Sequence, residues 1–232
     1  MRALALAALW ALGVPASAQR GLTSVNEVAG DGVAAVVGAA TPSAEADVIL
    51  ASDVELRARI RLAGQTSGPL PLGPLPAGLL RATLDELVGE VLIAREADRI
   101  QVASPAATDV ARERRRLLRL AGGQARLEAL LGALGASDGE VEAMAERRAR
   151  VRVFLQANLA GEARVTDAQL EEAFATGEHP FLGQELDDVR EAMRVYLVRQ
   201  ALDRALRRWI EVLRGRSVVR VLAPWAGGEA GR

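Results

Sequence analysis

The run Ser217-Val218-Val219-Arg220-Val221-Leu222-Ala223 reads as a β-strand, and nothing near it in sequence can pair with it. A strand alone leaves its backbone groups unmatched and is not stable by itself. The other β-favouring runs, Val33-Ala34-Ala35-Val36-Val37 and Asp47-Val48-Ile49-Leu50, lie near the opposite end of the chain, with a Gly-, Ala-, Thr-, Pro- and Ser-rich turn between them. The two ends of the chain are therefore expected to meet in one small sheet. Everything between is patterned as helix, so the expected fold is mainly α.

Helix signals divide the middle of the chain. Ser52, with Glu55 three residues on, reads as a capping box for a helix that stops at Gly64. Residues 65–78 (QTSGPLPLGPLPAG) form a loop, because proline donates no amide and disfavours helix in the residue before it. The spacing of Pro71, Pro74 and Pro76 loosely suggests a polyproline ligand; a stiff connector is the simpler reading. Leu80, Leu84, Leu87, Val88, Val91 and Leu92 recur at helical spacing over residues 79–100. Ser104-Pro105 then starts a helix ending at Gly122-Gly123, and a shorter one covers residues 124–134. Ser137 with Glu140 opens a helix striped by Val141, Met144, Val151, Phe154, Leu155 and Leu159. Thr166 with Gln169 opens a short one through Phe174, ending near Gly177. After a turn at His179-Pro180, a helix from about Leu186 to Arg214 is roughly 40 Å long at 1.5 Å per residue. Gly215 is expected to end it, and Pro224 to begin a loose tail over 224–232.

The first eighteen residues set the expected compartment. One charge at Arg2, an apolar run from Ala3 to Val14, a break at Pro15 and small residues at Ala16-Ser17-Ala18 form the order of a secretory signal cleaved before Gln19. The run is too short for a membrane anchor, which needs about 20 residues. Residues 19–31 read as a flexible lead-in. No cysteine is present, which rules out disulfides, thiolate metal sites, a cysteine nucleophile and a lipid attachment point. With 29 basic and 30 acidic residues the charge is balanced, and nothing points to a nucleic-acid partner. All basic side chains are arginine, more simply GC-rich codon usage than phosphate recognition.

Catalytic chemistry finds few candidates. His179 is the sole histidine, so a multi-histidine metal site is impossible; beside Pro180 it reads as a surface turn residue. Glu171-Glu172 and Asp187-Asp188 are helix neighbours that point in different directions, and read as charges complementing the macrodipole. The glycine-rich stretches at 21–32 and 227–231 lack the lysine of a phosphate loop. Two basic runs, Arg112 to Arg119 and Arg147 to Arg152, carry interleaved Glu113 and Glu146 and read as a solvated, ion-paired face. No catalytic, metal-binding or cofactor-binding residue is expected.

The order of elements resembles that of SurA-type periplasmic chaperones. Gly32-Val33-Ala34-Ala35-Val36-Val37-Gly38 followed by Val48-Ile49-Leu50-Ala51-Ser52-Asp53-Val54-Glu55 looks like that family's opening strand pair and first helix. Leu84-Asp85-Glu86-Leu87-Val88 and Leu92-Ile93-Ala94-Arg95-Glu96-Ala97 resemble its next helix. Val165-Thr166-Asp167-Ala168-Gln169-Leu170 is similar to the junction that leaves its N-terminal module, and Trp209-Ile210-Glu211-Val212-Leu213-Arg214 with the strand from Val218 to Leu222 looks like its C-terminal closure. The family usually carries parvulin prolyl isomerase domains between those parts. Here only about residues 175–185 separate them, against the 50 or so that a folded domain needs.

The resemblance implies a chaperone core over residues 32–223, with strands and helices to about 175 and a closing helix and strand over 186–223. It implies an ATP-independent periplasmic protein, not an enzyme, whose partners are unfolded secreted or outer-membrane polypeptides, with no cofactor and no stable membrane insertion. Phe174, Phe181 and Leu182 flank the junction where the isomerase domain is missing; with Phe154 they are the candidate client-binding residues, core or staple roles being the alternative. A prolyl isomerase-family protein and a dedicated scaffold subunit remain open as other functions.

Overall fold

The computed structural model describes residues 32–39, 46–159, 161 and 164–227. The expected signal over 1–18, the lead-in over 19–31 and the last residues of the tail lie outside the described residues. In chain order the elements are β1 (Val33–Ala39), β2 (Asp47–Leu50), α1 (Ala51–Ala63), α2 (Ala77–Arg99), α3 (Ala107–Ala121), α4 (Gln124–Leu134), α5 (Asp138–Asn158), α6 (Asp167–Ala175), α7 (Leu186–Arg216) and β3 (Ser217–Val221). The fold is mainly α, with one three-stranded antiparallel sheet in the order β2-β1-β3.

The strands near the two ends of the chain do pair. Val37 lies opposite Val219 and Ala35 opposite Val221 on one side of β1, while Val36 faces Val48 and Ala35 faces Ile49 on the other, with a bulge between Val33 and Ala35. Leu222 N–H extends the ladder to the Ala34 carbonyl at 2.9 Å. Ala35, Val37 and Ile49 are buried, and α1 and α2 lie against the sheet.

The chain forms two compact units: the described residues up to Phe154 together with those from Val212 onward, and the segment Leu155–Glu211. In the larger unit the stripe read on α2 is buried throughout, Leu80 to Leu92. A second cluster joins Leu56 and Ile60 of α1, Leu117 and Ala121 of α3, Leu127 and Leu130 of α4, and Val141 and Met144 of α5. Each fully buried leucine or isoleucine contributes roughly 1.5–3 kcal/mol relative to exposure. Gly64 ends α1 against the end of α3, where a Cβ would overlap the Leu120 carbonyl. The proline-rich connector is pinned by arginines: Arg126 Nε donates to the Ala63 carbonyl at 2.9 Å and Nη2 to the Pro69 carbonyl at 3.3 Å, and Arg59 Nη1 reaches the Pro71 and Gly73 carbonyls. Proline supplies carbonyls without amides, so the missing donors come from side chains.

Several element boundaries differ from those the sequence pattern predicts. The α1 cap is Asp53, whose carboxylate accepts the Leu50 N–H at 3.1 Å; Glu55 pairs with Arg59 instead. Helix α3 begins at Ala107, two residues beyond Pro105, because Asp109 accepts the Ala106 N–H. Gly215 does not end α7, which runs through to Arg216 and passes directly into β3; the glycine's entropic cost of about 1 kcal/mol is small against the sheet pairing that follows. The chain does not trail off at Pro224 either. Pro224–Ala226 forms a 3₁₀ turn against α2, with Trp225 8% exposed and its carbonyl accepting from Arg81 Nη2 at 3.2 Å.

In the smaller unit Thr166 caps α6 as expected, its Oγ accepting the Gln169 N–H at 3.2 Å while Gln169 Oε1 accepts the Thr166 N–H at 3.0 Å. Leu170, Val189, Met193, Leu202, Ala205 and Leu206 are buried. Arg194 ties the α6 start to α7 through Asp167 at 2.5 Å and the Val165 carbonyl at 2.9 Å. That guanidinium holds the Asp167 carboxyl below the usual aspartate range.

Candidate functional site

The candidate client-binding residues do not form one surface. Phe154 is 0% exposed and belongs to the larger unit, whereas Phe174, Phe181 and Leu182 lie in the smaller one. The Phe154 candidacy is overturned by its own helical stripe: it shares the buried face of α5 with Val141, Met144 and Val151. Leu182 is 70% exposed, while Phe174 and Phe181 are half-buried.

The turn that presents Leu182 is built around His179. Gly177 adopts a left-handed φ of 73°, which reverses the chain after α6 without a Cβ penalty. The His179 ring then packs against Phe174, with centroids 4.5 Å apart, and against Phe181 at 6.1 Å. Tyr196 of α7 meets Phe181 edge-on at 6.2 Å. The Phe181 N–H donates to His179 Nδ1 at 3.1 Å, so in the neutral ring the proton sits on Nε2, which donates to the Phe174 carbonyl at 3.0 Å. Tyr196 Oη accepts from Gln200 Nε2 at 2.5 Å. His179 is thus a buried staple rather than a surface residue, because stacking and two hydrogen bonds draw it in. Both ring nitrogens are engaged, so this histidine is ill placed to act as a base. Among the described residues no group of three or more His, Cys, Asp or Glu side chains could hold a metal ion, and no helix is long and apolar enough to cross a membrane.

The two basic runs, expected as a solvated face, enclose a buried charged centre. Glu113 of α3 is 1% exposed and meets Arg152 Nε at 2.6 Å, Arg116 at 3.5 Å and Arg148 Nε at 3.7 Å. Arg57 of α1 and Glu90 of α2, both buried, make a two-pronged pair, with Nη1 to Oε2 at 2.9 Å. Burial, and then the neighbouring charge of Arg57, push the Arg148 guanidinium below the usual arginine value, while Glu90 and Glu113 act in the opposite direction. The cluster ties α1, α2, α3 and α5 together. Since arginine does not release its proton, it offers structure rather than acid–base chemistry. The signal was present: Glu113, Leu117 and Ala121 recur at four-residue spacing on one helix face, and all three are buried.

No protein-family model, no curated protein and no solved structure matches this chain. The likeness to SurA-type chaperones stands on the residues quoted above alone.

Proposed function

We propose that the protein is an ATP-independent holdase of the bacterial periplasm, binding unfolded secreted or outer-membrane polypeptides through exposed apolar side chains. One observation carries the reading: Leu182 stands 70% exposed on a turn fixed by a satisfied aromatic stack, next in sequence to half-buried Phe181, whose stack through His179 includes half-buried Phe174. A large apolar side chain held out by a rigid turn loses little entropy on contact and makes no demand on client sequence. The chain-end closure and the order of helices support the same reading through the SurA-type resemblance. Release would follow client folding, which removes the bound species by mass action.

Dilution of several unrelated unfolded β-barrel proteins out of urea, followed by light scattering, tests this. Near-equimolar protein is expected to suppress aggregation of most of them, and Leu182→Asp to weaken protection severalfold without changing the melting curve. Protection of none would sink the proposal. A proline-peptide isomerisation assay is expected to show no acceleration; a clear one would favour an isomerase.

A further inference from the structure

Among the described residues, every arginine that is buried or half-buried pairs with a carboxylate or a backbone carbonyl, except Arg147. Arg147 lines a concave groove of about 460 Å³ in the larger unit, between the end of α2, the link before α3, the first turn of α3 and the middle of α5. Ala94, Pro105, Val110 and Ala143 give this groove an apolar lining. Its remaining polar groups are Ser104 and Glu146, neither of which bonds another described side chain, and the Asp98–Arg150 ion pair.

A half-buried guanidinium with no carboxylate partner among the described residues matches an anion with planar, two-pronged geometry. The other groups narrow the choice. Glu146 and Asp98 repel a polyanion such as nucleic acid. An alkyl carboxylate would satisfy Arg147 and the apolar lining but make no use of Ser104 and Glu146, whose exposed oxygens stand ready to accept. A peptide chain end supplies all three: one carboxylate, an apolar last side chain and backbone N–H groups. The groove volume lies within the usual range for small-ligand sites.

We propose that this groove binds the C-terminal carboxylate of an apolar peptide, with Arg147 taking the carboxylate and Ser104 and Glu146 accepting backbone N–H groups. The site is separate from Leu182 and stands or falls independently of the holdase reading.

Fluorescence anisotropy with a labelled alanine–leucine tetrapeptide, as free acid and as C-terminal amide, tests it on the intact protein. The acid is expected to bind at least about tenfold more tightly than the amide, the size of effect expected of a hydrogen bond to a charged group. Arg147→Gln should abolish that preference, while Arg115→Gln, on the exposed side of α3, should retain it. Equal binding of acid and amide, or a preference that survives Arg147→Gln, overturns the proposal. Octanoate displacing the peptide at equal concentration would overturn it in favour of an alkyl carboxylate. Should Arg147→Gln fail to fold, Ala143→Phe fills the groove from an exposed position; peptide binding that survives it also refutes the site.

Discussion

Charge in the interior dominates at the scale of single residues. Glu113 is the shared carboxylate of three ion pairs, and Arg148 is already disfavoured as a cation by burial and by Arg57. Glu113→Gln keeps the shape and removes the charge, so it is expected to cost about 3–5 kcal/mol, the range for breaking a buried ion pair from one side. Urea denaturation monitored by circular dichroism measures it; a loss under about 1 kcal/mol would mean that water reaches the cluster. Asp203 of α7 presents the opposite case. Burial raises its carboxyl above the usual aspartate value, against the weaker pull of Arg207 and Arg199. The folded state therefore holds this proton more readily than the unfolded chain does, and the group's favourable contribution is lost as pH rises through its raised pKa. Asp203→Asn should raise the melting temperature at neutral pH. The gain should vanish below about pH 3.9, where the unfolded chain is protonated too. The sequence placed Glu113 four residues before Leu117 on one helix face, but neither its burial nor its partners on α5 followed from that, because both depend on how two helices cross.

Most boundaries at the scale of elements follow from local chemistry. Helix α4 occupies Gln124–Leu134 as its flanking glycines indicate, and the Thr166 box starts α6 where sequence placed it. The misplaced starts at Ser52 and Ser104 share a cause: an aspartate at the third helical position accepts the N–H of the residue before the helix, Leu50 or Ala106, and sets the start there. Gly64 shows what a boundary residue does beyond ending a helix. A side chain there would overlap the Leu120 carbonyl at the close approach of α1 to α3, and backbone cannot move aside as a flexible side chain can. Gly64→Ala is expected to destabilise the protein by about 1–3 kcal/mol, the usual cost of overpacking. A thermal melt unchanged by this substitution would show that the two helices are free to separate.

For the whole molecule, the closing strand is the decisive element. Deletion of residues 217–232 would leave β1 with an unpaired edge and remove Trp225 from α2. The truncated chain is expected to lose its cooperative melting transition and to associate, as read by circular dichroism and size-exclusion chromatography; a sharp melt at the full-length temperature would contradict this. Sequence alone determined that β3 must find β1 and β2, because an isolated strand has no partner for its backbone and the runs at 33–37 and 47–50 are the β-favouring ones available to it. It likewise determined the helices, since apolar spacing and caps are local properties. Tertiary structure decided what locality cannot reach: that Phe154 faces inward, that His179 is drawn between Phe174 and Phe181, that Glu113 is buried, and that Arg147 lines a groove without a carboxylate partner among the described residues. Each of those depends on which neighbouring element covers a given face, and that is settled by packing between segments far apart in the chain.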